Sequence, residues 1–537
     1  MDTQRLILLL VFLFSSMMLW NAWQQQGQPQ PGVLPQQAAT TAGSLASNAA
    51  VPSAPTANVT PAAVPGTASR PAGATVKVAT DVVIAEIAAQ GGDLVRLELL
   101  RHKATGKNDE NFVLIDPAHA YAAQSGLIGP GLPNHKSQWT LPAGGLELRE
   151  GENELRVPLE AAIEGGGKVV KTYVFRRGSY LIDVEHAIVD AVPPAGAHAY
   201  FQLTRDDKSP EGSNAMMATF TGAAIYTDQD KFKKIDFGAF GEKGKHPTTA
   251  ADGWVALVQH YFVSAWLPAN GEREYFTRKL DGGLHAAGVV VPLHGDKLSV
   301  PLFSGPQEQD KLEAVAPGFS LVVDYGWLTF VAAPMFWVLE WIHKLVGNWG
   351  WAIILLTVLI KAIFFPLSAA SYKSMAKMRV MTPKLMKLKE TYADDRQRMN
   401  QEMMELYKRE KVNPLGGCLP ILVQIPVFIA LYWVLLGTVE MRGAPWLGWI
   451  TDLSVKDPFF VLPIIMGVTM FVQTRLNPTP PDPMQAKLML WMPVIFSVMF
   501  LWFPAGLVLY WVVNNVLSIA QQWQCNRMIE ASGLKAH

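Results

Sequence analysis

Five apolar stretches crowd the last third of this 537-residue chain, at 349–369, 416–437, 459–473, 484–503 and 506–523. A helix needs roughly 20 apolar residues to cross the hydrocarbon core of a bilayer, and all but the third stretch come near that length. The third crosses only if its flanks contribute. Twelve of the 17 tryptophans lie after Ser320, as expected of a segment that meets a membrane interface. The C-terminal part therefore reads as a helical membrane region.

At the other end, Met1 to Arg5 runs into an apolar stretch at 6–20, broken only by Ser15 and Ser16. A cleaved signal peptide is one reading. An uncleaved membrane helix over 1–23 is preferred, because Trp20 and Trp23 stand where interfacial aromatics belong and no small-x-small site follows at once. It brings the expected spans to six and puts both termini on one side. Residues 24–74 have no charge before Arg70 and consist mainly of Gln, Pro, Ala, Thr, Ser and Gly. Such a composition cannot offset its ordering entropy by burial, so it is a linker, spanning roughly 35 to 40 Å as a coil.

Over 75–320 the pattern changes to short runs rich in Val, Ile, Tyr and Phe, separated by Gly, Pro, Asn and Asp. Leu94 to Leu99 and Tyr180 to His186 alternate apolar and polar residues, the mark of half-buried strands. The expectation is one large all-β sandwich. A scaffold and a carbohydrate-binding module both fit that class. Eleven histidines are scattered, and no HExxH, CxxC or GxxxxGKS/T motif occurs, so neither a metal nor a cofactor is expected. The two cysteines, Cys418 and Cys525, lie in or beside C-terminal apolar stretches. Packing must hold the sandwich, because disulfides do not.

Lys plus Arg equals Asp plus Glu at 45 each, so net charge gives no reason to expect a nucleic-acid partner. Local charge is more informative. Segment 371–413 has eleven Lys or Arg against six Asp or Glu, a net of +5, whereas 438–457 has two against three, a net of −1. The positive-inside rule places 371–413 in the cytoplasm. Both termini are then cytoplasmic, and the sandwich is periplasmic. Just before the first span, Phe330, Met335, Trp337, Val338, Trp341, Ile342 and Leu345 recur at helical spacing among Glu340, His343 and Lys344. That pattern predicts an amphipathic helix over 325–347 lying in the interface.

Within 349–369 stands one charge, Lys361, with Thr357 one turn earlier on the same face. A lysine at a helix centre costs roughly 2.5 to 3.5 kcal/mol on insertion scales. Its stem can snorkel to the headgroups, or its ammonium can face a wet groove. Pro366 is expected to kink this helix. Gln424 and Tyr432 share one helical face, and Trp511, Asn514, Asn515, Ser518 and Gln522 follow helical spacing on another. Each polar residue has helix-to-helix hydrogen bonding as its ordinary explanation. Three polar stripes converging on one lysine favour a groove. Segment 371–413 carries Met375, Met378, Leu385 and Leu388 on one stripe and Met399, Met403 and Leu406 on another, with Asp394 and Asp395 between. An antiparallel helical hairpin is expected, its methionines serving either its own packing or an adaptable apolar surface.

Ser374-Met375-Ala376-Lys377-Met378-Arg379, Gln401-Glu402-Met403-Met404, Asn413-Pro414-Leu415-Gly416-Gly417-Cys418 and Phe503-Pro504-Ala505-Gly506-Leu507 resemble the core of the YidC family of membrane protein insertases, over about 325–523. The preceding β region is similar to the periplasmic domain of Gram-negative members in position and class. The resemblance implies a non-enzymatic protein of the bacterial inner membrane with a five-helix core, here 348–525, and a cytoplasmic tail, 526–537. That core encloses a hydrophilic groove. Thr357, Gln424, Tyr510 and Trp511 match groove or client-contacting positions. Lys361 stands where the family usually has arginine, which keeps the charge but not a bidentate fork. The hairpin with Met375, Met378, Met399 and Met403 matches one implicated in client reception. Implied partners are nascent membrane proteins, the Sec translocon, the ribosome and the lipid bilayer. A secondary transporter would also have six spans and an intramembrane lysine, but no inverted repeat is visible. A membrane-anchored sugar enzyme would need converging carboxylates in the sandwich. Neither accounts for the basic hairpin.

Overall fold

The computed structural model describes residues 73–531 apart from 105–106, 211–218, 243, 247, 270, 324, 393–394, 411–418 and 477–482. The expected helix at 1–23, nearly all of the linker, the motif at 413–418 and the second half of the tail lie outside the described residues.

Residues 75–306 form two sheets, of ten and eight strands. Alternation works as expected in Leu181–Val189, where every second residue is buried. Strand His198–Asp206 is buried along nearly its whole length. It pairs antiparallel with Ala122–Ile128 on one side and Leu284–Pro292 on the other. One of its faces meets the second sheet, with the Phe201 and Trp266 rings 5.0 Å apart. The opposite face is covered by a loop, where the backbone N–H of His135 donates to the Tyr200 hydroxyl at 3.0 Å. Two buried cations inside the sandwich find partners locally, as burial demands. Lys171 donates to the carbonyls of Ser125 at 3.1 Å and Gly91 at 3.3 Å, and Arg205 reaches Gln259 Oε1 at 2.5 Å.

Nine helices follow among the described residues: α1 (Gln309–Val315), α2 (Thr329–Val346), α3 (Trp349–Ile363), α4 (Phe365–Thr391), α5 (Arg396–Arg409), α6 (Leu419–Gly437), α7 (Val461–Leu476), α8 (Pro483–Met499) and α9 (Ala505–Ala531). No single one is long and apolar enough to cross a membrane. The pair α3 and 365–378 passes together, bent by 63°, and Val423–Gly437, Val461–Leu476 and Lys487–Trp502 are shorter apolar helices. The kink expected at Pro366 is thus present, as a break between two helices. α3 stops at Ile363, and Pro366 sits in the first turn of α4. Proline lacks the N–H that would continue the ladder, and its ring clashes one turn back, so the bend falls where the two helices meet.

α2 turns Ala332, Phe336, Leu339 and Ile342 inward and leaves Phe330, Trp337, Trp341 and Leu345 exposed. The expected apolar stripe is thereby divided, with Ile342 inward and Phe330, Trp337, Trp341 and Leu345 outward, so the exposed side of α2 is itself apolar. Gly347, at φ 67°, ends α2 by donating its N–H to the His343 carbonyl at 2.7 Å. Asn348 then opens α3 by accepting from the Trp351 N–H at 3.2 Å. Gly350 is needed at close quarters, since a Cβ there would lie 2.1 Å from Cδ1 of Trp446. The sandwich and the helices share one apolar core, which runs from Trp254 through Phe319 and Leu328 to Leu431 and Val434. His260, on a turn of the sandwich, also meets the Leu436 carbonyl at the end of α6 at 3.0 Å.

α4 and α5 form the expected antiparallel hairpin. Met381, Leu385 and Leu406 are its buried centre, with Met378, Met403 and Tyr407 packed against them. Lys384 pairs with Glu410 at 2.8 Å, and Asp395 caps α5 by accepting from the Arg398 N–H at 3.0 Å.

Candidate functional site

α9 is the hub of the helical region, packing against α3, α4 and α7. Its polar residues divide between two faces. Asn515 donates to Thr469 Oγ1 at 3.3 Å and Gln522 to the Leu476 carbonyl at 3.2 Å. Both bonds hold α9 to α7, the ordinary helix-to-helix role. The other face carries Trp511, Asn514, Ser518 and Gln521, which recur at spacings of three and four and so stack along one side.

Lys361 lies on that second side, in the last turn of α3 and half-buried. Its Nζ donates to Ser518 Oγ at 2.8 Å, and Ser518 Oγ donates in turn to the Asn514 carbonyl at 2.7 Å. Gln521 Nε2 donates back to the Lys361 carbonyl at 3.2 Å, and the Tyr372 hydroxyl reaches the Ser518 carbonyl at 3.4 Å. Among the described residues no carboxylate pairs with Lys361. Its ammonium therefore keeps donors beyond the one that Ser518 accepts.

Further along α9, Gln424 Nε2 donates to the Tyr510 hydroxyl at 2.8 Å. Phe428, one turn after Gln424 on α6, stacks 6.2 Å from the Tyr510 ring and lies 4.7 Å from Trp511. Gln424, Tyr510 and Trp511 are thus brought together. Thr357 is not joined to Lys361 by a hydrogen bond. It is buried, and its hydroxyl donates to the Ile353 carbonyl of its own helix at 2.7 Å. Tyr432 stands apart from Gln424, its ring 6.2 Å from Phe503. Of the four hairpin methionines, Met378 and Met403 pack into the hairpin's own core, whereas Met375 and Met399 are half-buried outside it.

Sequence reasoning missed Gln521, Tyr372 and Phe428. Gln521 was legible, for continuing the step from Trp511 through Ser518 by one more turn reaches it rather than Gln522. Tyr372 lies beyond the bend, and only the 63° turn of α4 brings it back to Ser518. Among the described residues no group of three or more His, Cys, Asp or Glu could hold a metal. The site offers one cation, hydrogen-bonding side chains and aromatic rings. Such a set can hold polar parts of a polypeptide reversibly.

Comparison with known proteins agrees along the whole chain. The family model described as "60Kd inner membrane protein" matches residues 341–532, and the one described as "YidC periplasmic domain" matches 75–338. The chain is 59% identical to the membrane protein insertase YidC of Aromatoleum aromaticum, covering 100% of both chains. It is 56% identical to that of Dechloromonas aromatica, covering 100% of this chain and 99% of the other. Among solved structures it resembles the "Active YidC insertase crystal structure with the first transmembrane domain resolved", at 19% identity and a TM-score of 0.40, covering 83% of this chain and 91% of that one. A helical core and a β sandwich, matched in order and at full length by insertases more than half identical, establish that the chain belongs to the YidC family of membrane protein insertases, non-enzymatic inner-membrane proteins with a periplasmic domain.

Proposed function

We propose that client membrane proteins enter the bilayer along a groove between α3, α4, α6 and α9, with Lys361 as its cation and Gln424, Tyr510, Trp511 and the Thr357 turn as its walls. The observation that carries this reading is the Lys361 ammonium bonded to Ser518 without a countercharge among the described residues. A cation away from bulk water attracts client carboxylates more strongly than one at the surface, and the absence of a fixed partner lets it release them. The topology that goes with it is six spans, N-in and C-in, with 75–320 periplasmic, α2 in the outer interface and hairpin 371–413 cytoplasmic. There the hairpin receives clients, from the ribosome or beside the Sec translocon, with Met375 and Met399 as the methionines left outside its packing. The test compares Lys361→Arg and Lys361→Leu at matched levels, with insertion of an acidic single-span client as readout. Arg is expected to retain insertion and Leu to lose most of it. Full activity of Lys361→Leu would show a snorkelling residue instead.

A further inference from the structure

The groove side of α9 holds hydrogen-bonding atoms in reserve. Trp511 Nε1, Asn514 Oδ1 and Gln521 Oε1 are each buried without a partner among the described residues. All three residues lie on the one face defined above, which also carries Ser518 and meets Lys361. Leaving such groups unpaired disfavours folding, and most proteins avoid it. Other polar residues of α9 show that partners were available, since Ser518 bonds within the helix and Asn515 bonds across to α7. Asn514 is only 7% exposed, so bulk water does not satisfy it. The Trp511 ring is held between Phe428, at 4.7 Å, and Phe500, at 5.7 Å, which fixes the direction of its N–H.

The chemistry of the three atoms is complementary. Indole nitrogen only donates, and the amide oxygens only accept. Residues three apart on a helix present their side chains roughly 5 to 6 Å from one another. An extended polypeptide offers, from a single residue and on one side, an N–H and a C=O, the pair that antiparallel strands exchange. Every residue except proline carries both groups, and a client not yet helical has them unsatisfied in a medium poor in water. The main chain is also the only chemistry that all clients share.

We infer that Trp511 and Asn514 form a donor and acceptor pair for the main chain of an extended client, with Gln521 as a second acceptor further along. Client recognition on α9 is then independent of client side chains, and Lys361 adds the charge preference. The inference rests on the groove reading above, and the test separates the two.

The full-length protein is reconstituted in vesicles of phosphatidylethanolamine and phosphatidylglycerol. Insertion is measured for two single-span clients of equal length, one with a Leu and Ala translocated segment and one with Ser and Thr. Asn514→Leu removes the acceptor at similar volume. It is expected to lower insertion of both clients by the same factor, roughly 2- to 10-fold, and to leave the thermal midpoint unchanged or raise it. Asn514→Ser, which returns an oxygen, is expected to recover part of the loss. A lowered midpoint for Asn514→Leu would mean that the oxygen serves the fold, and unequal losses would mean side-chain recognition; either overturns the inference. Normal insertion by Asn514→Leu beside impaired Lys361→Leu overturns it while sparing the groove. Normal insertion by both variants removes the groove reading and this inference together.

Discussion

The guanidinium of Arg442, on the connection between α6 and α7, lies 4.9 Å from the ring of Phe112 in the β sandwich. Phe262 is 5.1 Å away and Tyr261 6.0 Å away. A cation from the helical core is thus lodged among aromatic rings of the periplasmic domain, beside the His260 bond to the Leu436 carbonyl. This joint keys the sandwich to the core beside the end of α6.

Breaking the joint should cost stability in a way that only a direct contact explains. Cation–π pairs contribute about 0.5 to 2 kcal/mol, more when sheltered from water. Arg442→Ala and Phe112→Leu should each lower the thermal midpoint of the detergent-solubilised protein. Together they should cost less than the sum, by about 1 kcal/mol in a double-mutant cycle. Additive effects would show that ring and guanidinium do not interact.

Glu440, two residues earlier, makes the same region sensitive to pH. Burial pushes its carboxyl up to about 7, and Glu308 and Glu340 push the same way, against backbone N–H donors that include Gln309. Lys311 pairs with Glu308 and Lys344 with Glu340, which softens that repulsion. A carboxyl whose pKa is higher folded than unfolded makes the native state bind more protons between the two values. Stability should therefore be greatest below about pH 4.5 as far as this group is concerned, fall as pH rises to about 7, and level off above. Glu440→Gln should raise the midpoint at pH 8, by an amount worth roughly 2 to 3 kcal/mol, and change little at pH 5. An equal effect at both values would rule out titration as the cause.

Gly350 is expected to tolerate no side chain. The 2.1 Å approach of Trp446 to its missing Cβ leaves room only if the indole moves. Trp446 is held by a backbone bond from its N–H to the Ile450 carbonyl at 3.0 Å and stands 6.0 Å from the Trp351 ring. Gly350→Ala should destabilise by about 1 to 3 kcal/mol despite the better helix propensity of alanine. Combining it with Trp446→Ala should recover part of the loss, as melting curves of the three variants would show.

Tyr510→Phe removes the hydroxyl that accepts from Gln424 and leaves that amide short of a partner. Losing the bond should cost about 1 kcal/mol. Gln424→Leu on top of it should then cost little more, because both ends are gone. A full second penalty would indicate that Gln424 has another role in the same place.

Much of this architecture was legible because it rests on periodicity. Alternation in Leu181–Val189 follows from spacing alone. The hairpin was equally plain, since Leu385 and Leu406 repeat with its other apolar residues at helical intervals. What spacing cannot give is direction in three dimensions. Trp511, Asn514, Asn515, Ser518 and Gln522 all satisfy a helical pattern, yet Asn515 and Gln522 bond to α7, Ser518 to Lys361, and Trp511 packs against Phe428 and Phe500. Thr357 shares a face with Lys361, but its hydroxyl found the nearer carbonyl of Ile353. The Arg442 joint had no sequence signal at all, because Phe112, Tyr261 and Arg442 come together only through folding.

The 63° bend beside Lys361 turns α3 and α4 into a lever. With 27 residues, α4 extends roughly 40 Å from Phe365, at 1.5 Å per residue. A rotation of about 10° about Phe364 would carry its far end through roughly 7 Å, while the Lys361 backbone, within one turn of the fulcrum, would shift by less than about 1 Å. A displacement at the tip of the hairpin would thus reach the Lys361 backbone several times smaller, because the two lie at such different distances from Phe364.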